Sequence, residues 1–443
     1  MSSLPAEPAK TEAKKTPPTE STPPAAATVA APAPVAPSPP AARAPAPVTV
    51  QPAPTLKAPG GGDQPVRVGL LLPLTGQGVD AGLGRAMLDA ALLALFEVGD
   101  ERLMLLPRDT GGTPEGAARA AAEVLGEGAE MVLGPLFSTS VTAAATVARQ
   151  RGVPMIAFSS DRRVAGDGVY LLSFTPAQEV EAVVGFALSR GLRRFAALVP
   201  QDPYGLAVLQ AAREALLTLG GELVQSEFYS PDGDDLDNSV KRLAHYHGRR
   251  QALLARRNEL ANKGGEAARR MLEVLKKHDT LGALNYDAVL LPEGGELLKS
   301  LAPLLLYYDV DTSDVRLLGT GRWDDPRVRL EPALQGGWFA GADRAAAVEF
   351  RARYRKAFGR VPPRLASLAY DGTALAAVLA REKGGADYSA RAIAAPDGFV
   401  GSDGIFRFGA DGVAQRGLAV LEIERDGFRV LRPAPTSFEE LTN

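Results

Sequence analysis

Apolar and polar positions along this chain switch between two periods in a repeating way. Val66-Arg67-Val68-Gly69-Leu70-Leu71-Leu72 is a short apolar run rich in branched side chains, and it predicts a strand buried on both faces. Pro73 ends it, because proline has no N–H to give to a sheet ladder. After the loop that opens with Leu74, Thr75 and Gly76 the period lengthens. Leu83, Ala86, Met87, Ala90, Ala91 and Ala94 recur at helical spacing.

The rhythm then repeats. Strands are predicted at 102–106, 129–133, 154–158, 170–174, 195–199, 223–226 and 288–291, with helices at 114–125 and 141–151 and a cap-like helix start at 175–179. Strand–helix units of this length demand right-handed crossovers and a mostly parallel sheet. One small sheet does not hold so many strands. The expected fold is α/β: two doubly wound parallel-sheet lobes, with ligands placed beyond the carboxyl ends of the strands in a central cleft. Lobe one is expected to hold 66–174 and 345–395, lobe two 175–342 and 396–432, with 433–443 as a C-terminal tail. Near that end, 401–408 and 418–423 alternate as a small antiparallel addition.

Two stretches break the rhythm. Residues 1–65 are mostly Pro and Ala and hold about half of the chain's 35 prolines, so neither helix nor sheet is expected there. The expectation is a disordered, extended tether, with a reach on the order of 200 Å at ~3.1 Å per residue. Residues 241–278 carry eleven Lys and Arg against three Glu. Leu253, Leu254 and Leu260, then Ala268, Met271, Leu272 and Leu275, fall on helical stripes there, which predicts a basic helical hairpin. Its arginines Arg249, Arg250, Arg256 and Arg257 are candidates for docking an acidic partner, against the simpler reading of a solvated face.

Composition removes several classes. With 443 residues, 46% hydrophobic content and a formal charge of −3, the chain can support more than one packed unit and gives no reason to expect nucleic acid. It has no cysteine, so disulfides and thiolate metal sites are excluded. No apolar run approaches the ~20 residues that span a bilayer, and the residues after Met1 do not read as a signal peptide. Membrane attachment would therefore need an anchor not written in this sequence.

Catalytic and cofactor signals are poor. Gly76-Gln77-Gly78-Val79-Asp80-Ala81 fits G-x-G-x-x-A, but Pro73, Leu74 and Thr75 separate it from the strand, where the dinucleotide fingerprint needs glycine at the turn itself. His245, His247 and His278 are the only histidines and all lie in or at the end of the basic stretch, so neither a Ser-His-Asp triad nor a metal site is expected. No cofactor is implied. The strand ends instead offer hydroxyls and glycine: Thr75 and Gly76, Ser138 and Thr139, Ser159 and Ser160. Hydroxyls and free N–H groups at helix starts suit an anion such as a carboxylate, and capping the helices is the competing role. Tyr204, Glu293 and Trp323 are expected to face them from the second lobe.

Leu71-Leu72-Pro73-Leu74-Thr75-Gly76, Gly134-Pro135-Leu136, Tyr204-Gly205 and Tyr370-Asp371-Gly372 resemble the type 1 periplasmic binding proteins of the leucine-binding kind. The basic helical insert before Asn285-Tyr286-Asp287-Ala288-Val289, with Leu304-Leu305-Leu306-Tyr307-Tyr308 and Gly319-Thr320-Gly321-Arg322-Trp323, is most similar to the penicillin-binding protein activators, a group of lipoproteins within that superfamily. The first resemblance implies a solute receptor feeding an ABC importer permease. The second implies a non-enzymatic periplasmic regulator, tethered to the outer membrane, that docks on a peptidoglycan synthase. The activators' helical repeat domain and lipid-bearing cysteine have no counterpart here, the Pro/Ala tail standing in their place. In the amino-acid receptors of this superfamily a hydroxyl pair meets the ligand's carboxylate and an acid on lobe two meets its ammonium. Ser159-Ser160 fills the first place, whereas Arg322 opposes a cation in the second. Tight binding of leucine, isoleucine or valine is accordingly not expected.

Overall fold

In a computed structural model the described residues are 56–57, 65–75, 79–97, 102–381 and 385–439. The first half of the chain alternates strand and helix through its central part. It runs β1 (Leu56–Lys57), β2 (Val66–Leu72), α1 (Val79–Glu97), β3 (Leu103–Asp109), α2 (Pro114–Gly126), β4 (Met131–Leu133), α3 (Ser138–Gln150), β5 (Met155–Ala157) and β6 (Val169–Leu171). These strands form one sheet in the order β1-β3-β2-β4-β5-β6, parallel except for β1. Adjacent residues of β2 serve opposite faces. Leu70 and Leu72 pack with Met87, Leu95 and Leu368, while Leu71 packs with Ala117, Val124 and Val141. An unbroken apolar run is what a strand covered on both sides requires.

The second half follows the same logic with a longer crossover. It runs α4 (Pro176–Ser189), β7 (Arg194–Pro200), α5 (Pro203–Leu219), β8 (Glu222–Tyr229), α6 (Leu236–Leu243), α7 (Tyr246–Lys263), α8 (Glu266–Leu275), β9 (Ala288–Leu290), α9 (Gly295–Tyr307), β10 (Arg316–Gly319) and β11 (Trp338–Gly341). Two helices, α10 (Arg344–Phe358) and α11 (Ala366–Ala380), then return to the first sheet, where Phe350, Tyr354 and Tyr370 pack on Ala86, Ala90 and Ala94. After the short α12 (Ala390–Ile393) come β12 (Phe399–Gly401), β13 (Gly404–Phe408), β14 (Ala414–Arg416), β15 (Ala419–Glu424) and β16 (Gly427–Arg432). The second sheet is ordered β16-β15-β11-β10-β9-β7-β8, with only β15 and β16 antiparallel to their neighbours.

Two sequence expectations need correction. Leu56–Lys57, inside the stretch expected to be disordered, pairs antiparallel with Leu105 and Met104 as an edge strand; the rest of 1–64 lies outside the described residues. The small sheet β12-β13-β14 does not join the second lobe. Phe406, Phe408 and Ala414 are buried with Ile156 and Phe158 in the first core, and only β15 and β16 extend the second sheet. Within the basic insertion, α7 and α8 pair through a seam of Leu253, Leu260, Ala268 and Leu275, and α6 leads into them.

The chain passes between the two lobes three times, at Leu172–Thr175, at Ala342–Asp343 and at Gly417–Leu418. Local signals fix where elements begin. Thr113 is extended (φ −113°, ψ 153°) and its hydroxyl accepts the Gly116 N–H at 3.1 Å, capping α2 directly before Pro114. Thr113→Ala is expected to cost about 1 kcal/mol in a urea melt, and an unchanged midpoint would remove this cap from the account.

Candidate functional site

Both sheets point the carboxyl ends of their strands at one cleft of about 1210 Å³. From the first sheet, β4 leads through Phe137 to Ser138 at the start of α3, and β5 leads to Phe158, Ser159, Ser160 and Asp161. Phe137 carries no side chain able to cap α3, and it lines the cleft wall together with Ser138. Leu83, Leu136 and Phe174 add apolar surface, and Val348, Val361 and Leu365 line the far side. Ser159 is buried and its hydroxyl accepts the Asp161 N–H at 3.2 Å; Ser160 is exposed.

From the second sheet come Tyr204, Glu293 with Gly294, and the single turn Gly321–Trp323 after β10. Glu293 is 8% exposed. Its carboxylate accepts the Tyr229 hydroxyl at 2.7 Å, the Gly294 N–H at 2.9 Å and the Arg322 guanidinium at 3.3 Å. Burial first, then the charge of Glu293, raise the Tyr229 hydroxyl far above its usual range, so it stays a donor. Arg322 lies flat on the Tyr204 ring, its Cζ 3.6 Å from the centroid. Burial, and next the charge of Glu179, push the Tyr204 hydroxyl up to about 12; it shares a 2.9 Å hydrogen bond with Thr320.

Ion pairs tie the two halves together around the cleft. Glu179, in the first turn of α4, accepts from Arg364 and from the Gly321 N–H at 3.1 Å. A Cβ at Gly321 would fall 2.3 Å from the Arg364 guanidinium, so a side chain there would displace this ion pair. Arg364 in turn lies over Phe174 at 4.0 Å. Asp324, nearly buried, accepts from both Arg344 (3.1 Å) and Arg351 of α10. Asp325 is paired with Arg327 at 2.7 Å, and Asp161 with Arg163 at 2.8 Å. Every carboxylate lining the cleft therefore has a guanidinium. Arg355, one turn beyond Arg351 and also on the wall, has no ion-pair partner among the described residues.

The structure sorts the sequence-predicted residues. Ser138, Ser159, Ser160, Tyr204 and Glu293 meet in the cleft. Gly76 lies outside the described residues. Thr75 does not line the cleft: its hydroxyl and N–H, with the N–H groups of Leu74 and Gly111, are taken by Asp109. Burial alone would raise the Asp109 carboxyl, but these four hydrogen bonds hold it below its usual range. Thr139 turns to solvent. Trp323 points away into the second core. Of the candidate docking residues, Arg249 donates to the Ala244, Gly282 and Asp309 carbonyls, and Arg257 to those of Leu275 and His278. Helix C-termini leave carbonyls unpaired, and cations inside the hairpin satisfy them. Arg250 pairs with Asp279 and Arg256 with Glu259, so none of the four stands free. Sequence reasoning missed Glu179, Arg351, Arg355 and Arg364 as cleft residues.

Comparison with known proteins agrees with this architecture. A family model described as periplasmic binding protein matches residues 65–247. An uncharacterized protein of Rickettsia prowazekii (strain Madrid E) is 20% identical over 180 residues, 41% of this chain and 47% of the relative, so the match spans about half of that protein's length. Among solved structures, a solute binding protein of an ABC transporter from Rhodopseudomonas palustris BisB5, in complex with 3,4-dihydroxy benzoic acid, superposes with a TM-score of 0.58 at 20% identity, covering 84% of this chain and 97% of that one. A leucine binding protein from Thermotoga maritima gives 0.56 at 20% identity over 83% and 98%. An ABC transporter substrate-binding protein from Sphaerobacter thermophilus gives 0.63 at 18% over 83% and 97%. The chain has the fold of the type 1 periplasmic binding proteins.

Proposed function

We propose that this chain is a solute receptor whose two lobes close on a small anionic ligand with an apolar body, serving an ABC importer. One observation carries the reading: each acid on the cleft wall already has an arginine, while Ser138, Ser160 and Arg355 remain to meet an anion. Phe137, Phe158 and Phe174 supply a surface for an apolar or aromatic ligand body. The benzoate-type ligand of one structural neighbour is consistent with that surface. Three passages between the lobes suit hinged closure. No residue of the cleft is assigned a catalytic role, because its acids are held as counter-ions rather than left as free bases. Calorimetry against aromatic and aliphatic carboxylates and the twenty amino acids tests the reading. Micromolar binding of a carboxylate, with none of leucine, isoleucine or valine, is expected. A low-micromolar dissociation constant for an aliphatic amino acid would overturn the charge argument, and no binding at all would remove the receptor.

A second reading is favoured by the insertion. Where β7 leads to β8, and β9 to β10, through one helix each, the chain passes from β8 to β9 through α6, α7 and α8, with Leu254, Met271 and Val274 exposed. Such an arm suits a periplasmic regulator of the penicillin-binding protein activator kind, held at the outer membrane by the Pro/Ala tail and docking on a peptidoglycan synthase. Lys263, Arg269 and Lys277, which have no ion-pair partner among the described residues, are the cations available to it. A pull-down with bifunctional synthases, repeated with these three changed to Glu, decides it. Binding lost on charge reversal supports the reading, and no binding by the unmodified protein ends it.

A further inference from the structure

Glu293 sets a problem that the protein solves internally. A carboxylate this deeply buried needs a positive partner, because an uncompensated charge is costly to remove from water. The Tyr229 hydroxyl and the Gly294 N–H supply hydrogen bonds but no charge. Among the described residues the only cation paired with Glu293 is Arg322. It approaches from the cleft side, and both residues line the cleft wall.

Arg322 is also fixed in place. Its guanidinium is stacked on Tyr204, and the Gly294 backbone packs so closely that a Cβ there would lie 3.1 Å from the Arg322 Cβ. A guanidinium has five N–H donors, and this one spends a single hydrogen bond on Glu293. The side chain is 39% exposed, so donors remain turned to the cleft. A ligand ammonium brought to Glu293 would meet that guanidinium at close range. A ligand oxygen would meet a donor.

We propose that Arg322 sets the charge preference of the cleft, occupying from within the protein the place of a ligand cation opposite Glu293. This rests on the solute-receptor reading and names the ligand class: a carboxylate that carries a second oxygen acceptor, such as a 2-oxo, 2-hydroxy or hydroxyaromatic acid, and no amine. The carboxylate meets the Ser138 and Ser160 side, and the second oxygen meets Arg322.

The discriminating probes are leucine and 4-methyl-2-oxopentanoate, which share a carbon skeleton and differ where the amine becomes a ketone. Calorimetry of the wild-type chain is expected to favour the oxo acid by about ten- to a hundredfold, the scale of one charge-assisted hydrogen bond. Arg322→Ala should lose that preference and gain affinity for leucine, and Arg322→Ala with Glu293→Gln should lose the gain. Arg322→Gln, which keeps a donor to Glu293 without the charge, covers the case in which the alanine variant does not fold. A second readout needs no solute. Millimolar methylammonium chloride, compared with sodium chloride, should raise the Tm of Arg322→Ala and leave the wild type and the double variant unmoved. Wild-type preference for leucine, a leucine to oxo-acid ratio unchanged in both single variants, or no methylammonium response in either would each overturn the proposal. If neither probe binds the wild type but methylammonium still restores the single variant, the ligand class fails and the internal counter-ion stands.

Discussion

Arg416→Ala is expected to cost about 3–5 kcal/mol, the loss found when one partner of a buried ion pair is removed. Arg416 ends β14, where the chain leaves the first lobe for the second, and its side chain is 2% exposed. Its Nε donates to the Ser173 carbonyl at 3.2 Å, in another of the three passages, and its Nη1 lies 3.7 Å from the Asp371 carboxylate of α11, which is fully buried. The guanidinium is sandwiched between Phe174 (4.5 Å) and Phe406 (5.5 Å). Its backbone N–H donates to Gln178 of α4 at 3.0 Å. One residue therefore holds both lobes at the hinge, and truncating it leaves the Asp371 carboxyl buried without its cation. Urea unfolding measures the loss; a change below about 1 kcal/mol would mean that water already reaches this pair.

The pH dependence separates that cause from lost packing. Burial pushes the Asp371 carboxyl up to about 6 from 3.8, against the opposing pull of Arg416. The folded state thus holds this proton more tightly than the unfolded one. Its contribution is fully present below the unfolded value and is lost as pH rises through about 6. Removing Arg416 removes the pull that favours the charged form, so the loss extends to higher pH. The deficit of Arg416→Ala relative to wild type is expected to be largest above pH 7 and to shrink towards pH 5. A deficit that does not change with pH would assign the effect to the aromatic contacts alone.

The elements legible in the sequence were those whose signal is carried by neighbours in the chain. The continuous apolar run of β2 and the stripe of α1 depend on nothing distant. Strands β10 and β11 were missed because Arg-Leu-Leu-Gly and Trp-Phe-Ala-Gly are four residues long and end in glycine. Hydroxyls were legible as cleft residues only where no acid competes for them. Ser138 and Ser160 reach the wall, whereas Thr75 is consumed by Asp109, a partner 34 positions away that spacing cannot reveal. The same limit hid the clasp: Glu179 and Arg364 are 185 positions apart, and Asp324 and Arg351 belong to different lobes. Charge patterning located the basic arm but could not show that Arg249 and Arg257 turn inward, since orphan carbonyls at helix ends are a property of the folded backbone.

Trp323 shows how a residue outside the cleft can govern it, and Trp323→Ala is expected to cost about 3–5 kcal/mol. The indole is fully buried, its ring centre 6.4 Å from that of Phe339. It lies against two glycine backbones: a Cβ at Gly319 would come within 2.1 Å of the ring and one at Gly337 within 2.8 Å. Gly319→Ala should therefore be destabilising too, by about 1–3 kcal/mol or more, because the ring has to leave its slot. The two residues flanking Trp323 are Arg322, which faces Glu293, and Asp324, which clasps Arg344 and Arg351. A seated indole fixes this single turn, and so fixes both flanking side chains against the cleft. Trp323→Ala should thus weaken ligand binding even at a temperature where the variant is fully folded, although the indole itself does not line the cleft. Trp323→Phe, which refills part of the slot, should recover much of both losses. Full ligand affinity in a folded Trp323→Ala protein would show that Arg322 and Asp324 are positioned by their ion pairs alone.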